Sequence, residues 1–323
     1  MNKNSMLDPN TKPEMMHYMH GSLSDREGNE PSGDAVVVLD PLDPTFVVIE
    51  PEAVASPLVF ASPHSGRSFP AEFLSACTAP LIDLRRIEDA YVDRLFAEAS
   101  RFGAPLICAR VGRACLDLNR APTEMDATMF TAPLDEIIVS RSPRVSAGLG
   151  CIPRIAHGGR NIYSEKLPSS VAGERLASIY HPYHNALDNL LDRAERKFGS
   201  AILIDCHSMP SKTETGAPMP DIVLGDRFGA ACAPALTRIV EKGMKRRGYS
   251  IARNVPYAGG HITLSRGRPE RNRHALQIEI NRRLYLDEEN VRPNQHFHQL
   301  KADLEACFDD VAYWSLGFVE LST

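Results

Sequence analysis

The chain has 323 residues, 43% of them hydrophobic, and a formal net charge of −5, so it can bury a full core but lacks the basic excess that holding a phosphate backbone requires; no nucleic-acid partner is expected. No apolar run approaches the roughly 20 residues of a membrane helix, which argues against a membrane partner. Seven scattered cysteines without a CxxC pair do not form a disulfide framework, and thiols inside apolar runs suit a protein of the reducing cytoplasm.

Residues 1–34 are polar and show no sustained periodicity, so they are expected to form a flexible arm. Residues 35–323 are expected to form a single domain. Val36-Val37-Val38-Leu39 and Phe46-Val47-Val48-Ile49 are short strand candidates. Leu58-Val59-Phe60-Ala61-Ser62 reads as a strand that ends on Pro63-His64-Ser65-Gly66. From 81 to 102, Leu84, Ile87, Tyr91, Leu95 and Ala99 recur at three and four residues and Gly103 follows, which predicts one helix carrying Glu88 and Asp89.

Residues 104–111 and 114–118 read as strands, the second ending in Asp117-Leu118-Asn119-Arg120. From 121 to 170 the chain is dense in Pro, Gly, Arg and Thr, with few apolar runs beyond Ile137-Ile138-Val139. A loop this long inside a domain is usually functional, and this one and the loop at 211–220 are expected to shape a pocket. Residues 171–198 return to helical spacing, with Tyr180, His181, Tyr183 and His184 taken as packing.

Ala201-Ile202-Leu203-Ile204-Asp205-Cys206-His207-Ser208 follows. An uninterrupted apolar run suits a strand buried on both faces, and strand ends in α/β sheets are where ligands bind. Residues 221–225 and 249–252 read as strands around a helix at about 228–247, and 257–263 as a loop. In Ala275-Leu276-Gln277-Ile278-Glu279-Ile280 the alternation puts Gln277 and Glu279 on one face. A helix over 296–316 closes the chain. Strands alternating with helices make an α/β fold with a parallel or mixed sheet.

His64 and His207 each stand just beyond an apolar run, so neighbouring strand ends can bring both imidazoles to one ion. A hydrolytic zinc site commonly adds one carboxylate to two histidines and leaves a position open for water. Asp89 or Glu88 can supply that carboxylate; satisfied structural histidines are the alternative. Neither Ser65 nor Ser208 lies in a GxSxG elbow, and Gly259-Gly260 belongs to no phosphate-loop pattern.

Ser62-Pro63-His64-Ser65-Gly66, Asp117-Leu118-Asn119-Arg120, Asp205-Cys206-His207-Ser208, Gly259-Gly260-His261-Ile262-Thr263 and Gln277-Ile278-Glu279, in this order, resemble the N-formylglutamate amidohydrolase family over about residues 55–315. That family is related to the zinc carboxypeptidases and aspartoacylases, so the resemblance implies a mixed central sheet flanked by helices and one zinc ion. It implies His64 and His207 as ligands with Asp89, which aligns better than Glu88; Arg67 stands where the carboxypeptidase HxxE glutamate would fall.

Glu279 is implied as the general base and Asn119 and Arg120 as the grip on a substrate carboxylate. Arg113, Arg154 and His261 are further candidates for a second carboxylate or for the oxyanion. Asp117 is expected to orient Arg120, and Asp205 to orient a metal-bound histidine rather than to bind metal. The implied reaction is hydrolysis of an N-acylated acidic amino acid, most simply N-formyl-L-glutamate. A carboxypeptidase or amidase acting on peptide or cell-wall fragments, and an inactive ligand-binding homologue, are the alternatives.

Overall fold

Among the described residues the two longest strands, Ala201–Met209 and Arg273–Asn281, lie side by side. The computed structural model describes residues 37–40, 43–134, 139–140 and 142–320. Its strands begin with β1 (Val37–Leu39), β2 (Phe46–Ile49), β3 (Leu58–Ser62), β4 (Ser68–Pro70) and β5 (Leu106–Ala109). They continue with β6 (Ala201–Met209), β7 (Ile222–Gly225), β8 (Ile251–Arg253) and β9 (Arg273–Asn281). Seven of these form one sheet in the order β2-β5-β3-β6-β9-β7-β8, parallel except where β2 meets β5 and β7 meets β9. The sheet is mixed and flanked by helices, as expected.

Alternation along the strands splits the core in two. Val59, Ala61, Leu203 and Ala275 pack with Tyr183, Leu187 and Leu190 of the helix His181–Phe198. Their neighbours Leu58, Phe60, Ile202, Ile204 and Leu276 point the other way, onto Leu236 and Val240 of the helix Pro234–Arg246 and Leu304 and Phe308 of the helix Phe297–Glu320. β6 is buried at every position because both of its faces are covered, which is why its sequence runs apolar without a break. The face that carries Ala201, Leu203 and Ala275 turns polar toward the strand ends, at Asp205, His207, Gln277 and Glu279.

Residues 170–198 are helical throughout, with a π-turn at Leu176–Tyr180. Gly199 ends them in the left-handed region, φ 69°, with its N–H on Glu195 O, a conformation glycine adopts at little cost.

Several elements differ from expectation. The helix over 81–102 breaks into Leu81–Arg85, Val92–Leu95 and a 3₁₀ segment Ala97–Phe102. In the gap Tyr91 takes φ 63° and the Asp89 N–H donates to His64 O at 3.0 Å, so a tertiary contact overrides the helical periodicity. Residues 114–118 are buried but form no strand; Cys115 N bonds Gly112 O and Asp117 N bonds Cys151 O, loop partners rather than a sheet neighbour. The helix at 228–247 begins only at Pro234, and the loop at 257–263 turns helical at His261–Arg266. The arm 1–34, Val36 and Ile137-Ile138 lie outside the described residues.

Candidate active site

A cavity of about 850 Å³ opens at the polar ends of β3, β6 and β9. His64 stands two residues past β3, and His207 lies near the end of β6, opposite Glu279 in register. Asp89 reaches them from the broken helix. Its Oδ2 is 3.3 Å from His64 Nδ1 and 2.8 Å from His207 Nδ1, and one donor atom from each residue falls within 4.8 Å of the other two. The three residues are buried.

The far nitrogen of each imidazole is held by another aspartate. His64 Nε2 is 2.7 Å from Asp117 Oδ1, and His207 Nε2 is 3.0 Å from Asp205 Oδ1. Donation from Nε2 to a carboxylate leaves Nδ1 unprotonated and free to coordinate, the carboxylate–histidine arrangement of metal sites. Asp205 Oδ2 accepts from Thr263, and Asp117 Oδ2 accepts from Arg113 at 2.6 Å. Asp117 therefore orients His64 and pairs with Arg113; the expectation that it orients Arg120 is revised, since no ion pair joins the two among the described residues.

Charge at the site suits a cation. Burial opposes protonation of His207, but Asp205 and then the hydrogen bond to Asp89 outweigh it and hold its pKa well above the usual imidazole range. Burial likewise disfavours ionised Asp89, yet the bonds from His207 and His64 hold that carboxyl well below its ordinary value. The protein alone thus gathers a proton and its positive charge where a divalent ion fits. Two imidazoles and one carboxylate are a donor set suited to zinc.

Glu88 also lines the cavity but is not one of the three grouped donors. Its Oε2 lies 3.5 Å from Arg85 Nε, and burial pushes its carboxyl up to about 8. What selects Asp89 is Arg282, a residue in none of the motifs. Arg282 donates to Arg86 O, Glu88 O and Asp89 Oδ1, and its Nε reaches Ser208 Oγ, which itself donates to Asp89 Oδ1 at 3.2 Å. One oxygen of Asp89 is fixed in this way and the other is left to the histidines.

Glu279 lines the cavity beside Gln277, whose amide donates to Glu279 Oε1 at 2.7 Å. Burial raises its carboxyl to about 8, with His207 opposing and Asp89 adding to the rise.

Asn119 and Arg120 both line the cavity. The Asn119 side chain is anchored through its Oδ1, which accepts from Ile262 N at 2.8 Å, and its Nδ2 packs 3.0 Å from His207 Nε2, so it braces the site from the Asp117–Arg120 segment. The cluster read as packing contributes here, since Tyr180 donates to Arg120 O and His184 Nε2 to Leu118 O, which bolts down the backbone on both sides of Asn119. Arg113 lines the cavity 3.9 Å from Asp89. Arg154 pairs with Asp126, and His261 packs toward His184, their ring centroids 6.1 Å apart; neither lines the cavity. The loop at 121–170 does supply lining residues, Arg144 and Leu149 among them, whereas that at 211–220 does not.

Residues 56–286 match the family model described as N-formylglutamate amidohydrolase. The N-formylglutamate deformylase of Pseudomonas aeruginosa is 33% identical over 242 residues, covering 72% of this chain and 83% of that protein. That of Pseudomonas putida is 30% identical over 240 residues, covering 72% and 82%. The crystal structure of N-formylglutamate amidohydrolase from Ralstonia eutropha JMP134 superposes with a TM-score of 0.79 at 33% identity, over 84% of this chain and 98% of that one. A gene product of Agrobacterium tumefaciens, 17% identical, shares the fold with a TM-score of 0.54 over 87% and 96%.

Proposed function

The chain belongs to the N-formylglutamate amidohydrolase family, and from that premise we propose that it is a zinc-dependent hydrolase releasing formate and L-glutamate from N-formyl-L-glutamate. The observation that carries this reading is the convergence of the Nδ1 atoms of His64 and His207 on Asp89 Oδ2 beside Glu279. His64, Asp89 and His207 would hold the ion, with Asp117 and Asp205 keeping each imidazole in its coordinating tautomer. When bound, the ion supplies Lewis-acid polarisation of the formyl carbonyl and activation of a water.

Glu279 takes a proton from the attacking water as its oxygen bonds to the formyl carbon, and returns it to the nitrogen as the C–N bond breaks. Arg113 is the cation that faces the negative charge growing on the carbonyl oxygen. Arg120 binds the α-carboxylate through the planar fork that suits bidentate recognition. The seven unpaired cysteines support a cytoplasmic setting, and among the described residues no helix is long and apolar enough to cross a membrane. Residues 35–323 act as one catalytic domain in this reading.

The test is metal analysis of protein purified with zinc present, followed by formate release from N-formyl-L-glutamate with and without chelator. One equivalent of zinc and chelator-sensitive turnover are expected. Protein that binds no metal overturns the mechanism; a metalloprotein inert toward this substrate overturns the substrate.

A further inference from the structure

Four of the arginines lining the cavity are already matched by acids: Arg85 by Glu88, Arg86 by Asp83, Arg113 by Asp117 and Arg282 by Asp89. Arg120, Arg144 and Arg227 line it with no carboxylate within 4 Å among the described residues. A full substrate carboxylate is best matched by a cation with no protein carboxylate on it, whereas a paired arginine such as Arg113 can still donate to the partial charge on a carbonyl oxygen.

Arg144 is exposed, and Arg120 Nε donates to Leu149 O while Leu149 N donates to Arg144 O, so these two belong to one part of the cavity wall. Arg227 comes from another loop and is half-buried. Its Nη1 donates to Gly259 O at 3.2 Å and its backbone N–H to Ala258 O at 2.8 Å. The next residue but one along that loop is Gly260, whose N–H donates to Gln277 Oε1 at 2.7 Å, and Gln277 in turn holds Glu279. Arg227 is thus tied to the wall that carries the proposed base, with Nε and Nη2 uncommitted among the described residues.

The turn that presents it is strained. Arg227 and Phe228 are consecutive non-glycine residues in the left-handed region, φ 56° and 58°, a conformation that side chains with a Cβ disfavour. Asp226 and Asn254 enforce it: Asn254 Oδ1 accepts from Asp226 N and Phe228 N, its amide donates to Asp226 Oδ1, and Thr237 donates to Asp226 Oδ2. Strain held in place by a side-chain hydrogen-bond network beside a cavity is found where a side chain is being aimed.

We infer that Arg227 is the specificity-determining residue for the side-chain carboxylate of the substrate, leaving Arg120, next to the Asn119 that touches His207, to the α-carboxylate near the scissile bond. This rests on the reading of the enzyme as a hydrolase of N-acyl dicarboxylic amino acids.

The experiment compares kcat/KM for N-formyl-L-glutamate and its uncharged isostere N-formyl-L-glutamine in wild type, Arg227→Met, Arg227→Lys and Arg120→Met, with thermal unfolding and metal content as folding checks. Wild type is expected to prefer the glutamate substrate. Arg227→Met should lower that preference by about tenfold to a hundredfold, the range for losing a charged hydrogen bond, chiefly through KM. Arg227→Lys should restore part of it, and Arg120→Met should depress both substrates and keep the ratio. An unchanged ratio in Arg227→Met, whether both activities hold or fall together, overturns the inference. A wild-type enzyme that prefers the glutamine isostere also overturns it, while one inert toward both substrates overturns the functional reading on which it rests.

Discussion

His64 and His207 present the same nitrogen, Nδ1, to the same oxygen of Asp89, at 3.3 and 2.8 Å, and each is held from behind by its own aspartate. The pair reaches this near symmetry from strands of different length, joined by one register in which Ala61 lies opposite Asp205. The rings stand 4.8 Å apart at 63°, so neither can turn without losing its aspartate.

Removing those aspartates should therefore loosen the metal without removing a ligand. Asp205→Ala and Asp117→Ala are each expected to weaken zinc binding roughly tenfold to a hundredfold, read by competition with a chromophoric chelator. Asp89→Ala should cost far more. Equal affinities in wild type and Asp205→Ala would show that His207 needs no support from it.

Glu279→Gln should retain one equivalent of metal and lose at least about a hundredfold in kcat, the lower end for general-base removal. The base works only when ionised. Burial raises this carboxyl to about 8 and a cation alongside lowers it, so kcat/KM should climb with pH along a limb whose apparent pKa is at or below about 8. Activity that declined steadily from pH 5 to 8 would exclude this role.

Acid should destabilise the fold through two buried histidines outside the His64–Asp89–His207 group. Burial pushes His184 down to about 3, with the charges of Arg266 and His261 adding to the effect, and burial alone pushes His274 down to about 4. Both stay neutral in the fold while the unfolded chain protonates them below about 6.5. Stability is thus fully present above that pH and falls as pH drops toward 4, by about 1.4 kcal/mol per unit for each group. Urea unfolding at pH 7 and pH 4.5 measures the loss. His184→Gln, which keeps a donor for Leu118 O, should flatten the slope; an unaltered slope would remove His184 from this account.

Two glycines should separate folding from function. A Cβ on Gly66 would lie 2.2 Å from Val111 O, a backbone atom, whereas one on Gly260 would lie 2.4 Å from the Asn119 amide. Gly66→Ala is expected to cost roughly 1–3 kcal/mol of stability as an overpacked backbone contact. Gly260→Ala should displace Asn119 and reduce turnover about tenfold with a smaller change in unfolding midpoint. The reverse pattern would show that Asn119 does not position the site.

Much of the frame follows from local pattern. The runs that end on His64 and on His207 are apolar because their strands are covered on both faces. Period-2 alternation places Gln277 and Glu279 side by side on the cavity face, away from Leu276, Ile278 and Ile280, before any contact is known. These are properties of neighbours along the chain, and so they are legible there, as is the order of motifs that marks the family.

Which charges meet is a different matter. Asp89 and Glu88 are adjacent and chemically alike; the choice between them is made by a backbone break at 86–91 and by Arg282, 193 residues away from Asp89. The same holds for the arginines: Arg154 is spent on Asp126, while Arg227 enters the cavity on a left-handed turn that no periodicity announces. Helical and strand spacing report which face a residue occupies, because that depends on a few bonds of backbone geometry. The partner of a buried charge is decided by where distant segments pack, and only the tertiary structure holds that information.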